Sequence, residues 1–251
     1  MKLLATTGGA QGIGRATAEH FAREGYAVSF CDTDAKAGAE TLAELQRLGA
    51  KAAFRHADVS KHGEVRAWVD HTIAEFGVPT VLINNAGLKE HGDFFKVTVE
   101  DFDRIVAVNL RGVFLCTQEF ARHMVKAGEG GCIIQIASTR AMQSEAGYEV
   151  YSATKGGIVS MMHALSQTLA EARIRVNAIS PGWIEVDDWQ RKDRAKTPHH
   201  TKAEKEQHAV GRIGVPQDVA AAALYIAEHA PFMTGSNLVI DGGMAAKMVY
   251  E

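Results

Sequence analysis

The sequence is short of the features that would send it toward several protein classes. Cysteine occurs three times in 251 residues, as Cys31, Cys116 and Cys132, with no C-x-x-C spacing. That excludes a disulfide scaffold. Three reduced thiols used as core filler fit a cytoplasmic protein. Histidine is more frequent, at eleven, but H-E-x-x-H is absent and the His199-His200 pair has no ligand-spaced partner. That pair is expected in a solvated loop, and no metal is expected, because a metal site needs several converging ligands. No apolar run is long enough to span a bilayer, and no signal-peptide pattern is present. Positive charge is not in surplus: 27 Lys and Arg face 30 Asp and Glu, so there is no basic footprint for nucleic acid. Pro/Ser-rich linkers and internal repeats are also missing. Residues 1–251, 46% hydrophobic, are therefore expected to form a single large α/β domain.

What the sequence does contain is alternation of strands and helices. Short apolar runs read as strands at 2–6, 27–31, 52–57, 80–83, 132–137, 175–179 and 237–240. Helical patterns fall between them, through about Glu24, at 35–48, 61–76, 99–127, 150–172 and 216–229. Such alternation calls for a doubly wound parallel sheet with helices on both faces, and for ligand outside the carboxyl ends of the strands. The helix from 150 is apolar on more than one side (Ile158, Val159, Met161, Met162, Leu165). It wants cover from the sheet and from a second copy of the chain, most simply across a two-fold axis. Residues 185–210 are polar and charged and read as a mobile lid.

The unusual polar residues gather at those strand ends. After the first strand comes Thr7-Gly8-Gly9-Ala10-Gln11-Gly12-Ile13-Gly14. A glycine turn opening a helix lets backbone approach a phosphate, although a tight packing turn has the same composition. Asp32 ends the second strand, 18 residues beyond Gly14. It either holds a ribose 2′-hydroxyl, which favours NAD over NADP, or caps the next helix. Arg15 argues the other way, but it sits inside the first helical turn. Asp58-Val59 meets either an adenine amino group or its own turn. Asn84-Asn85-Ala86-Gly87 either faces a ligand crevice or ties loops together. Asn109 lies among apolar neighbours and must bond backbone or hold a water. Ser138 ends the fifth strand, and Pro181-Gly182-Trp183-Ile184 ends the sixth. Tyr151 and Lys155 stand one helical turn apart. A fixed ammonium near a phenol favours the phenolate, which would make the pair an acid/base device; a packed tyrosine and a solvated lysine is the plainer reading.

Taken together, Thr7-Gly8-x-x-x-Gly12-Ile13-Gly14, Asn84-Asn85-Ala86-Gly87, Asn109, Ser138, Tyr151-x-x-x-Lys155 and Pro181-Gly182 resemble the short-chain dehydrogenase/reductase family over nearly the whole chain. The resemblance implies a Rossmann-type fold with a seven-stranded, mostly parallel sheet. It implies a catalytic set of Asn109, Ser138, Tyr151 and Lys155. It implies cofactor contacts from Gly8, Gln11, Gly12, Ile13, Gly14, Asp32, Asp58, Val59, Asn85, Ala86, Gly87, Tyr151, Lys155, Pro181, Gly182 and Ile184. Family members are typically cytosolic tetramers or dimers. Two positions depart from the family pattern: Val186 replaces a frequent threonine, and Thr80 replaces a common aspartate.

The implied activity is hydride transfer between a nicotinamide cofactor and an alcohol or ketone. Tyr151 would be the acid/base, Lys155 would lower its pKa, Ser138 would hold the substrate oxygen, and Asn109 would hold a water. Glu90, His91, Arg140, Gln143, Glu145, Tyr148, Trp183, Glu185 and Trp189 are expected to line the pocket, a set suited to a sugar, polyol or other small polar secondary alcohol. A 3-oxoacyl-carrier-protein reductase is the alternative; Asp32 and the lack of a basic docking surface speak against it. A dinucleotide-binding regulatory protein without turnover has no need of an activated phenol.

Overall fold

A computed structural model describes residues 1–89 and 92–247; Glu90, His91 and the end of the apolar tail, including Tyr250, lie outside the described residues. Seven strands form one sheet: Leu3–Thr7 (β1), Ala27–Asp32 (β2), Ala52–His56 (β3), Val81–Asn84 (β4), Gly131–Ile136 (β5), Ile174–Pro181 (β6) and Asn237–Ile240 (β7). Their order is β3-β2-β1-β4-β5-β6-β7. Every pairing is parallel. The order reverses between β1 and β4, so the turns that follow these two strands sit side by side. That is the place where an open α/β sheet leaves a crevice.

Helices cover both faces. Gly12–Arg23 (α1), Ala35–Arg47 (α2) and, late in the chain, Pro216–Glu228 pack on one side, where Phe21, Leu45 and Val219 meet Leu4, Phe30, Ile83 and Ile134. His62–Phe76 (α3), Gly112–Ala127 and Glu149–Thr168 pack on the other, where Trp68, Phe120 and Met162 meet Ala5, Leu82, Ile133 and Val176. Neighbouring strand residues thus serve opposite cores, which is why the strands read as continuous apolar runs rather than alternating ones. Each fully buried Leu, Ile or Phe contributes about 1.5–3 kcal/mol. Beneath β2 the buried polar groups are paired: Trp68 Nε1 donates to Ser29 Oγ at 3.1 Å, and the Ser29 and Thr72 hydroxyls share a hydrogen bond at 2.6 Å. All three cysteines are free and buried.

The remaining elements follow from end signals. Val99–Val106 (α4) starts at Thr98, whose hydroxyl accepts from Asp101 N at 3.1 Å. The helix expected over 99–127 is not uniform, because Ala107–Arg111 makes a π-turn before Gly112–Ala127 (α5) begins. The expected 150–172 helix is Glu149–Thr168 (α6); the chain then turns, with Arg173 at φ 57°, to enter β6. Within 185–210 lie a short turn at Asp187–Trp189 and the helix Lys202–Glu206 (α7), started by a Thr201/Glu204 capping box. Pro216–Glu228 is α8, with Pro216 in its first turn.

Candidate active site

The loop after β1 is built for close backbone approach. Gly8 and Gly12 hold φ of 61° and 55°, a region that side chains avoid. A Cβ on Gly14 would stand 2.0 Å from the Gly8 carbonyl oxygen, so only glycine fits there. α1 begins with no side-chain cap from Gln11 and no acidic residue in its first turn. Its first N–H groups therefore remain available to an anion, and the helix end favours negative charge. This cradle fits the pyrophosphate of a dinucleotide. Asn85 fastens it to β4: its Nδ2 donates to the carbonyls of Thr7 at 3.1 Å and Gly8 at 3.0 Å. Thr7 Oγ1 accepts from Asn85 N and Ala86 N, each at 3.0 Å. Asn84 is turned inward, to Thr117 Oγ1 at 2.9 Å. Asn85 thus ties two loops together and Asn84 ties β4 to α5, and what remains for a ligand in this run is Ala86 and Gly87.

Asp32 sits at the end of β2 with Oδ2 accepting from Ala10 N at 3.1 Å and Oδ1 from Asp34 N at 3.0 Å. Burial raises its pKa, with these backbone donors opposing the shift. It does not cap α2; Asp34 does, accepting from Ala37 N at 3.0 Å. Asp58 closes a local turn, accepting from Ser60 N at 2.9 Å and Ser60 Oγ at 2.7 Å, while Val59 is buried against Gly112. Arg15 bonds Glu19 at 2.9 Å and lies over Trp189, so its charge already has two partners.

The residues expected to do chemistry come together at the ends of β4 and β5. Tyr151 and Ser138 share a side-chain hydrogen bond. Lys155 is buried, donates to the Ile136 carbonyl at 2.8 Å, and has Nζ 5.5 Å from the Tyr151 ring centroid. A Cβ on Gly87 would stand 3.7 Å from Lys155 Nζ and 3.5 Å from Asn109 Oδ1, so glycine keeps this spot open. Asn109 spends its amide on the neighbouring loop: Oδ1 accepts from Leu88 N at 2.7 Å and Nδ2 donates to Leu88 O at 2.9 Å. It lies within the π-turn, a distortion that frequently marks functional sites because it frees a backbone carbonyl.

The electrostatics differ from the sequence expectation in one respect. Tyr151 is not lowered: burial pushes the phenol up, and the Ser138 hydrogen bond is the main opposing influence. Burial brings Lys155 down to about 8. The ammonium donates to the Ile136 carbonyl, and its own desolvation dominates. Tyr151 therefore keeps its proton at neutral pH.

Pro181 and Gly182 pack against the end of β7, where a Cβ on Gly182 would meet Asp241 at 2.7 Å. Ile184 makes a parallel bridge with Gly214. Beyond them, Trp183 stands edge-on to His200, and His200 Nε2 lies 3.2 Å from Glu185 Oε2. His200 is thus held inside a cluster rather than in the solvated loop expected of it. His208, buried against Trp183, was not foreseen, and its Nε2 has no partner among the described residues. Arg140 stacks on Tyr148 at 3.6 Å and pairs with Glu145.

A sequence family described as enoyl-(acyl carrier protein) reductase matches residues 8–245. An uncharacterized oxidoreductase of Thermotoga maritima is 42% identical over 100% of this chain and 98% of its own length. The chain belongs to the short-chain dehydrogenase/reductase family. It is an oxidoreductase of that family, whose members use a nicotinamide cofactor. Cyclopentanol dehydrogenase of Comamonas sp. is 35% identical, over 98% of this chain and 97% of that one. The solved acetoin dehydrogenase YohF of Salmonella typhimurium superposes with a TM-score of 0.89 at 30% identity, covering 98% and 97% of the two chains. No helix among the described residues is long and apolar enough to cross a membrane. No group of His, Cys, Asp and Glu among them is arranged to hold a metal ion.

Proposed function

We propose that this chain is an NAD-dependent dehydrogenase/reductase acting on a small polar secondary alcohol or the matching ketone. The observation that carries the reading is the buried Lys155 beside a Tyr151 that is hydrogen-bonded to Ser138, with Gly87 leaving space next to the ammonium. Gly8, Gln11, Gly12, Ile13 and Gly14 would hold the pyrophosphate, Asp32 the adenosine ribose, Asp58 and Val59 the adenine, and Gly87, Lys155 and the backbone near Ile184 the nicotinamide half. When bound, the cofactor supplies or accepts the hydride.

The protein's share is the proton and the position. Tyr151 Oη gives its proton to the forming alkoxide in reduction and takes it back in oxidation. Ser138 Oγ donates a hydrogen bond to the same oxygen, stabilising charge as it develops. Asn109 fixes the Leu88 loop beside Lys155. Because the phenol holds its proton at neutral pH, reduction runs there without a preceding ionisation, and oxidation gains rate as the pH rises.

NAD is favoured over NADP because Asp32 and Asp34 place two carboxylates at the end of β2, where a 2′-phosphate would meet repulsion. A polar substrate is supported by Glu185, His200 and the unpartnered Nε2 of His208 around Trp183, since a buried polar atom asks for a hydrogen bond. The names of the cyclopentanol and acetoin relatives support a small secondary alcohol or ketone. The exposed Phe102, Phe114 and Val99 on α4 and α5 support a homodimer or homotetramer, which light scattering would report. The buried, unpaired thiols support a cytoplasmic, single-domain enzyme.

A panel of secondary alcohols and ketones, each run with NAD(H) and NADP(H) and followed by absorbance of the reduced nicotinamide, tests the assignment. Turnover of a small polyol or hydroxyketone with NAD(H) is expected. Tyr151→Phe should lower turnover by a factor of about 10²–10⁴ while leaving NADH binding intact. Normal turnover in that variant, or wild-type binding of NADH with no turnover on the whole panel, refutes the assignment.

A further inference from the structure

The segment after β6 does not hang free over the sheet edge. It runs as a strap from one half of the crevice to the other. Its root is fixed where Ile184 bridges Gly214 and Glu185 N donates to Gly214 O at 2.9 Å. Val186, the residue that replaces the family's threonine, packs over the glycine turn, with Cγ1 3.4 Å from the position of a Cβ on Gly12. Trp189 then lies under the Arg15 guanidinium. Arg191 N donates to Gln11 Oε1 at 3.1 Å. The strap ends on the start of α2, on the far side of the crevice, where Lys192 N reaches Glu40 Oε2 at 2.9 Å.

Four charges alternate along this last step. Arg191 lies 3.2 Å from Asp34 Oδ2 and 2.7 Å from Asp193 Oδ1, and Asp193 lies 2.7 Å from Lys36. Arg191 and Asp34 are each only 19% exposed, so solvent screens this pair less than an ordinary surface pair. Asp34 also caps α2, which fixes its carboxylate in place before the arginine arrives. Among these contacts Arg191 is the hub, binding the phosphate turn through its backbone and the adenosine-side helix through its side chain.

We propose that Arg191 is a positioning residue that latches the strap across the cofactor crevice, so that the dinucleotide is released only after the Arg191–Asp34 pair parts. This rests on the reading of the crevice as a nicotinamide-cofactor site. It predicts that cofactor release is slow, that Arg191 and Asp34 control it together, and that it depends on salt.

The test is the dissociation rate of NADH from the full-length protein, read by stopped-flow nicotinamide fluorescence after a chase with excess NAD. Arg191→Ala should speed release about fivefold at low ionic strength, the size expected for a partly buried pair within a network. Arg191→Lys should recover most of the wild-type rate. Asp34→Asn keeps an oxygen for the helix cap and removes the charge, so it should also speed release. The double variant should release no faster than the faster single one. Wild-type release should accelerate toward the Arg191→Ala rate in about 1 M salt, where the Debye length is about 3 Å.

Release from Arg191→Ala within about twofold of wild type at low salt overturns the latch. So does additive behaviour of the two single variants. If Arg191→Ala fails to fold, Asp34→Asn and the salt series decide alone, and a salt-independent wild-type rate then refutes the proposal. A wild type that binds neither NADH nor NADPH refutes the crevice assignment itself, an outcome separate from binding that is merely insensitive to Arg191.

Discussion

Replacing Lys155 with methionine should make the protein inactive and, at neutral pH, no less stable. The ammonium falls from 10.5 to about 8 on burial, and desolvation is the cause. At about 1.4 kcal/mol per unit, holding that charge inside costs about 3 kcal/mol at pH 7. Removing it also leaves the Ile136 carbonyl without its donor, at a cost of about 1–2 kcal/mol. The balance is a gain of about 1–2 kcal/mol for the variant at pH 7. The sign of the pH dependence gives a sharper check. The folded group loses its proton first, so between about 8 and 10.5 the unfolded chain binds more protons, and wild-type stability rises with pH relative to the variant. At about pH 9.5 only about 1 kcal/mol of the penalty remains, so the variant's stability relative to wild type should fall by about 2 kcal/mol from pH 7, which erases or reverses its gain. Urea unfolding of both proteins across that range measures the difference, and every other titrating group cancels in it. Parallel stability curves for the two proteins would show that the ammonium is not desolvated as the structure has it.

Two other substitutions probe the cofactor half. Gly14→Ala would set a methyl against the Gly8 carbonyl oxygen, so the phosphate turn must shift; fluorescence titration should show NADH affinity falling about tenfold or more, with a lowered melting temperature, and unchanged affinity would mean the turn is not the phosphate cradle. Asp32→Ser removes the carboxylate that opposes a 2′-phosphate. It should weaken NADH binding about tenfold and raise the affinity for NADPH, and an unaltered NADH/NADPH preference in titration would take the selectivity away from Asp32.

The sheet was legible because the strands are short, largely apolar segments that alternate with helical patterns, which leaves few alternative orders. The site was legible for the same reason. Gly8 to Gly14, Asp32, Asn84 to Gly87, Ser138 and Tyr151 all fall at or after strand ends, which the parallel topology brings to one edge. The roles within that edge were less legible. Asp32 and Asp34 are chemically identical and two positions apart, and only the start of α2 decides which of them caps it. Asn109 reads as a water ligand, yet both its amide atoms go to Leu88, a pairing that depends on a π-turn with no local sequence signal. The strap was read as a polar lid because its anchors lie far away in sequence: Arg191 finds Asp34 across 157 positions.

The direction of the Tyr151 shift shows where spacing stops and geometry begins. A four-residue offset on a helix guarantees that Tyr151 and Lys155 are neighbours. It does not say which way a lysine stem extends. Here the stem reaches toward β5, the Ile136 carbonyl takes the proton donor, and Nζ ends 5.5 Å from the centre of the ring. At that separation the ammonium does not overcome the desolvation of the phenol, and its own charge is marginal above about pH 8. The largest influence favouring a phenolate is Ser138, whose hydroxyl bonds Tyr151, followed by the Arg140 charge. Under the proposed function Lys155 and Ser138 would therefore divide the work: the serine would govern the proton on the tyrosine, and the lysine would supply a buried donor beside Gly87 for the cofactor.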